Sequence, residues 1–178
     1  MSALALRQEQ PADRPAVEAL YDRVFGIARK ELSSYRLRAG VSFLPELAWL
    51  YEDVAVGQVV GAIRFWPVRI GRPGAPCLLL GPVAVHPTHQ GEGLGAALTW
   101  CGLRRAESLA MPADARESGT WGRVALIGDE PYYRRFGFVR ELAQELEFPP
   151  PTDPDRRLAR ELRPGSMQGL RGTVRAWR

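Results

Sequence analysis

Apolar positions along this chain follow two periods, and the switches between them mark its elements. Leu4 and Leu6 alternate within Ala3–Arg7, which predicts a short first strand. Pro11-Ala12-Asp13 then signals a helix start, with Asp13 as N-cap. Val17, Leu20, Tyr21 and Val24 follow at i, i+3, i+4 and i+7, one buried stripe of a helix. A second helix is predicted from Arg29 to about Leu37, ending near Gly40.

From Leu47 the period shortens. Ala48–Tyr51 and Gln58–Ile70 read as strands, separated by the turn-prone segment Glu52–Gly57. Arg69–Pro76 is rich in Gly and Pro and reads as a turn. Cys77–Val85 is the strongest strand, interrupted at Gly81-Pro82. Proline has no N–H for the ladder, so Pro82 implies an edge or a bulge. Leu94, Leu98 and Cys101 restore helical spacing and predict a helix reaching Ala110. Pro112–Thr120 reads as a polar loop and Arg123–Ile127 as a short strand. A short helix over Pro131–Phe136 ends at Gly137, and Phe138–Phe148 is taken as a further strand. Arg160–Leu162 and Thr173–Trp177 are two candidates for a final strand. The expectation is a mixed α/β (α+β) fold: an antiparallel meander leading into a parallel strand–helix–strand unit, whose crossover should be right-handed.

Composition narrows the class. At 178 residues the chain is expected to form a single domain with a core that needs no staples. Its apolar fraction of 46% and charged fraction of 25% are those of a globular protein. Cys77 and Cys101 lie far apart without patterned spacing and read as reduced thiols. No apolar run approaches about 18 residues, and the N-terminus has no signal-peptide pattern, so the expected location is cytoplasmic, without a membrane partner. The net charge of +4 is carried by arginine, Lys30 being the sole lysine, and suits a polyanionic ligand. Tail arginines Arg156, Arg157, Arg160, Arg163, Arg171, Arg175 and Arg178 do not alternate with aromatics. They read as a solvated face rather than a nucleic-acid surface.

The chemistry concentrates in Leu78–Ala97, LLLGPVAVHPTHQGEGLGAA. An apolar strand enters a polar turn, and three glycines then open a helix. The first turn of a helix offers unsatisfied N–H groups and partial positive charge, and glycines let an anion approach the backbone. Three glycines are costly inside a helix, at roughly 1 kcal/mol each, so anion binding explains them better than a mere tight corner. There is no GxxxxGK[ST] run. Gly91, Gly93 and Ala96 satisfy a dinucleotide fingerprint, with Glu117 about 20 residues on. His86–Gln90, however, separates strand from glycine, whereas the dinucleotide turn follows its strand directly.

The run Gln90-x-x-Gly93-x-Gly95 fits the Q/R-x-x-G-x-G/A signature of the GNAT superfamily of N-acetyltransferases. Tyr132-Tyr133-Arg134-Arg135-Phe136-Gly137-Phe138 resembles that family's second landmark, an aromatic pair followed by Gly-Phe. The resemblance implies a GNAT-like fold, with a central mixed, twisted sheet of about six or seven strands and about four flanking helices. It implies acetyl-CoA as cofactor, bound where the fourth and fifth strands splay. Val83, Ala84 and Val85 would line the pantetheine arm, the backbones of Val83 and Val85 pairing with it. The loop Gln90, Gly91, Glu92, Gly93, Leu94, Gly95 and Ala96 would hold the pyrophosphate, Gln90 standing where arginine is commoner. Tyr133 lies where the family's general-acid tyrosine sits, four residues before Gly137, and Val85 would offer its amide to the acyl oxygen.

No base is singled out among Glu52, Asp53, Asp129 and Glu130 near strand ends. His86 and His89 are two ligands without a third, so no metal is expected. Arg64 and Trp66 are candidates for an acceptor pocket. The implied activity is transfer of acetyl to an amine of a small molecule or peptide. A CoA-sensing or partner-docking module without turnover is the alternative, and a C-terminal strand could pair across a homodimer.

Overall fold

The computed structural model describes residues 3–110 and 121–178. The predicted loop Pro112–Thr120, with Glu117, lies outside them.

The alternating segments form an antiparallel meander: β1 (Leu4–Gln8), β2 (Trp49–Asp53), β3 (Gln58–Ile70) and β4 (Ala75–Val85). Pro82 resolves as a bulge. Ile63 faces Val83 and Phe65 faces Leu80, so Arg64 alone stands opposite Gly81-Pro82. Helix α1 (Arg14–Phe25) buries Val17, Leu20 and Tyr21, and Val24 packs half-buried beside them.

The long helix α3 (Leu94–Ala110) leads to β5 (Arg123–Ile127), parallel to β4 as a crossover requires. Strand β7 (Arg157–Glu161) closes that edge antiparallel to β5. Strand β8 (Gly172–Ala176) pairs with the outer end of β3 and with the two-residue β6 (Leu146–Glu147), so it is engaged within the chain. Among the described residues the mixed sheet has eight strands, six of them in the order β1-β2-β3-β4-β5-β7.

Central strands are apolar on both faces. Leu78, Leu80, Val124 and Leu126 turn toward Leu98 and Leu103 of α3. Cys77, Leu79 and Ala125 turn the other way, toward Leu146 and Val174. Helix α1 covers Leu50, Ala62 and Ala84.

Two predicted elements differ. In place of one helix from Arg29 to Leu37 there are a 3-10 turn (Ile27–Glu31) and a single turn, α2 (Ser33–Arg36), split at the extended Leu32. Tertiary partners dominate here. Buried Arg29 reaches back to Glu18 and Asp22, and Ser33 hydrogen-bonds Thr152 at 2.8 Å. Likewise Phe138–Phe148 is not one strand. Val139 bridges Ala159, Glu141–Ala143 is a 3-10 turn, and only β6 is extended. Its buried residues Phe138, Ala143, Leu146 and Phe148 lack a two-residue period, so a winding path inserts each into the core.

The tail arginines also depart from a purely solvated face. Arg157 donates to the Leu146 carbonyl, Arg175 to that of Gly71, and Arg160 pairs with Glu107.

Candidate active site

Strands β4 and β5 pair only at Leu78 with Val124 and Leu79 with Ala125. Beyond Leu79 they part. The hydrogen-bond phase of β4 fixes what faces the gap. His86 N–H donates to Val60 O at 2.8 Å, so His86 and Ala84 direct their backbone groups toward β3. Val83 and Val85, in the opposite phase, present N–H and C=O on the side that β5 has left. The Val85 carbonyl there accepts a hydrogen bond from Gln90 Nε2 at 3.2 Å.

His86 caps the 3-10 turn Pro87–His89, its Nδ1 accepting from Thr88 N. Burial, then Arg23 and His89, hold its pKa below the ordinary histidine value. No cluster of metal ligands occurs among the described residues. Gly91 (φ 86°) and Gly93 (φ 81°) turn the loop through left-handed backbone, and a Cβ at either would meet no atom within 4 Å. The loop is therefore open on its outer side. Gly93 O accepts the first helical bond, from Ala97, which leaves the amides of Leu94, Gly95 and Ala96 in the unsatisfied first turn. Glu92 is exposed. This is a fitting cradle for an anionic group.

At the far wall of the gap, Asp129 precedes α4 (Glu130–Tyr133), which continues as a 3-10 turn, Arg134–Phe136, and stops at left-handed Gly137. Tyr133 stacks edge-on against Tyr132 at 5.0 Å and packs on Phe136 and Phe138. A Cβ on Gly128 would lie 2.5 Å from the Tyr133 ring, so only glycine there leaves room for it. Burial, then the Tyr132 and Asp129 charges, push the Tyr133 hydroxyl up to about 12.

A cavity of about 780 Å³ occupies the split, lined by Gly81, Pro82, Val83, Asp129 and Tyr133 among others. Such a volume is typical of small-molecule sites. Of the four carboxylates near strand ends, Asp129 lines it, paired with Arg156 at 3.2 Å. Glu52 pairs with Arg7 and Glu130 with Arg134 and Arg140; Asp53 sits at the end of β2. A smaller cavity of about 290 Å³ adjoins it, sharing Tyr35, Arg38 and Pro82. Arg64 and Trp66 line this smaller cavity. Arg64 is fixed by buried Glu9 and by Glu18, and Trp66 donates to the Gly81 carbonyl. Tyr35 and Arg38 were not legible as site residues, because they lie in the segment without a clean period.

A family model described as an acetyltransferase (GNAT) domain matches residues 45–140, more than half of the chain. The chain belongs to the GNAT acetyltransferase family. Both GNAT landmarks, Gln90–Gly95 and Tyr132–Phe138, fall inside that match. The uncharacterized N-acetyltransferase YhbS of Escherichia coli (strain K12) is 26% identical over 171 residues, 96% of this chain and 95% of that protein. The crystal structure of the same E. coli protein in complex with CoA superposes with a TM-score of 0.78 at 25% identity, covering 99% of this chain and 91% of that one. A GNAT family acetyltransferase from Brucella melitensis, in complex with acetyl-CoA, gives 0.68 at 27% identity, with 100% and 97% covered. The GNAT fold is thus shared along the chain. No helix among the described residues is long and apolar enough to cross a membrane.

Proposed function

We propose that this chain is an acetyl-CoA-dependent N-acetyltransferase that acts on an amine of a small molecule or peptide, by direct attack in a ternary complex. The observation that carries this reading is the split itself: β4 turns backbone groups of Val83 and Val85 away from β3 where β5 has left, and Val83 and Tyr133 line the cavity between the parted strands. One end of that strand runs into the glycine cradle. Two GNAT relatives of 25% and 27% identity hold CoA and acetyl-CoA, which supports the same ligand here.

Acetyl-CoA supplies the acetyl group as a thioester. The chain supplies position and proton management. Gly91 to Ala96 hold the pyrophosphate on backbone N–H groups, with no side chain at Gly91 or Gly93 in the way. Gln90, in place of the commoner arginine, braces the loop against the Val85 carbonyl. Val83 and Val85 hold the pantetheine arm as a neighbouring strand would be held. The Val85 N–H stands ready for the negative charge that grows on the acyl oxygen in the transition state. Tyr133 keeps a proton on Oη at neutral pH and delivers it to the departing sulfur. The acceptor enters from the side of the smaller cavity, past Trp66 and Arg64.

Thiol release from acetyl-CoA, followed across a panel of primary amines, tests this reading. Turnover with at least one amine, above hydrolysis in its absence, is the expected result. Tight acetyl-CoA binding with no turnover across small amines and peptides would favour a CoA-sensing module instead.

A further inference from the structure

Arg38 stands two residues beyond α2, in the turn that left-handed Gly40 closes. It is only 8% exposed. Its guanidinium lies over the Tyr35 ring at 4.6 Å and near the Trp66 ring at 5.8 Å. Its Nη2 would be 3.3 Å from a Cβ on Gly81, which places it beside the β4 bulge. Its Nε has no hydrogen-bond partner. Among the described residues no carboxylate forms an ion pair with it. Its neighbours differ sharply: Arg29 is held by Glu18 and Asp22, and Arg64 by Glu9 and Glu18. Glu9, Glu18 and Asp22 are thereby engaged by other arginines, while Arg38 lines both cavities.

A buried cation without an anion is costly, so its retention calls for a compensating role, and an anionic ligand would supply one. Aromatic faces hold a guanidinium flat and leave its edge for a planar, bidentate anion. Burial lowers the Arg38 pKa to about 10, which leaves it charged at neutral pH.

We propose that Arg38 recognises a carboxylate on the acceptor, so that the substrate class is amines bearing a carboxylate: amino acids, or peptides with a free carboxyl near the amine. This rests on the acetyltransferase reading. The anion is the acceptor's and not the cofactor's, because the glycine cradle lies beyond the other end of the bulged strand and Arg38 does not line it. The side chain acts by binding and orienting, with no part in proton transfer.

The test uses the intact protein and matched acceptors: L-phenylalanine, L-glutamine and glycylglycine, each beside its carboxamide, with O-phosphoethanolamine as a phosphate-bearing amine. Acetyl-CoA affinity is measured by calorimetry on the same samples. Wild type should turn over the acid of at least one pair at least tenfold faster than the amide in kcat/KM, the difference residing in KM. The amide's amine is the less basic and so the more fully neutral, which biases the assay against this result. Arg38→Met should bring that ratio to about one with acetyl-CoA affinity kept, and Arg38→Lys should retain part of it. Equal turnover of acids and amides, a preference that persists in Arg38→Met, preferred use of O-phosphoethanolamine, or no turnover of any acceptor while acetyl-CoA binds would each overturn the proposal. Failure of acetyl-CoA to bind at all would instead remove the acetyltransferase reading.

Discussion

Gly128 and Tyr133 are one unit. The absence of a side chain at Gly128 lets the Tyr133 ring lie against the end of β5, facing the cavity, while Phe136 and Phe138 hold its other side. The surroundings that position the ring also raise its pKa, so the hydroxyl remains a proton donor across the working range. Tyr133→Phe should keep the packing and the acetyl-CoA affinity but lower kcat about a hundredfold, the usual loss for one general acid. Turnover unchanged with a good acceptor would remove Tyr133 from the chemistry. A general acid acts in its protonated form, and for Tyr133 that form persists below the folded-state pKa. The kcat profile should therefore show no falling limb below about pH 10, the ordinary tyrosine value. Initial rates up to that pH measure this, and a limb centred near neutrality contradicts it.

At the scale of elements, the contact of α3 with the sheet sets where the glycine cradle stands. Gly102 is the tight point: a Cβ there would lie 2.4 Å from Phe65 Cε2 in the middle of β3. Gly102→Val should push helix from sheet and cost about 1–3 kcal/mol, as overpacking does. Denaturant unfolding reads that loss, and an unchanged midpoint would mean that α3 tolerates the shift. The helix itself was legible, because Leu94, Leu98 and Cys101 carry a clean period and the glycines mark its start. The meander was legible for the same reason, and Pro82 announced the bulge. Segments 27–37 and 138–148 were not. Their paths are set by long-range pairs such as Arg29 with Glu18 and Ser33 with Thr152, and such partners leave no periodic trace in the local sequence. The motif-bearing half of the candidate site was thus readable in advance. Tyr35 and Arg38, which line both cavities, became visible only once the fold brought them to the split.

For the molecule as a whole, the described sheet runs β1-β2-β3-β4-β5-β7, and inside it β4 and β5 pair at only two positions before they separate. The edge of β4 at Val83 and Val85, which no described strand covers, next to open loop glycines and a cavity of about 780 Å³, has the shape of one extended site for a long, anionic ligand. Calorimetric titration of acetyl-CoA into wild type and Gly93→Asp tests this most directly. Aspartate is among the few residues that tolerate left-handed backbone, so the variant should fold, while its carboxylate opposes the pyrophosphate. The account predicts micromolar binding by wild type, lost in a variant whose circular dichroism is unchanged. A well-folded wild type that binds no acetyl-CoA would contradict it.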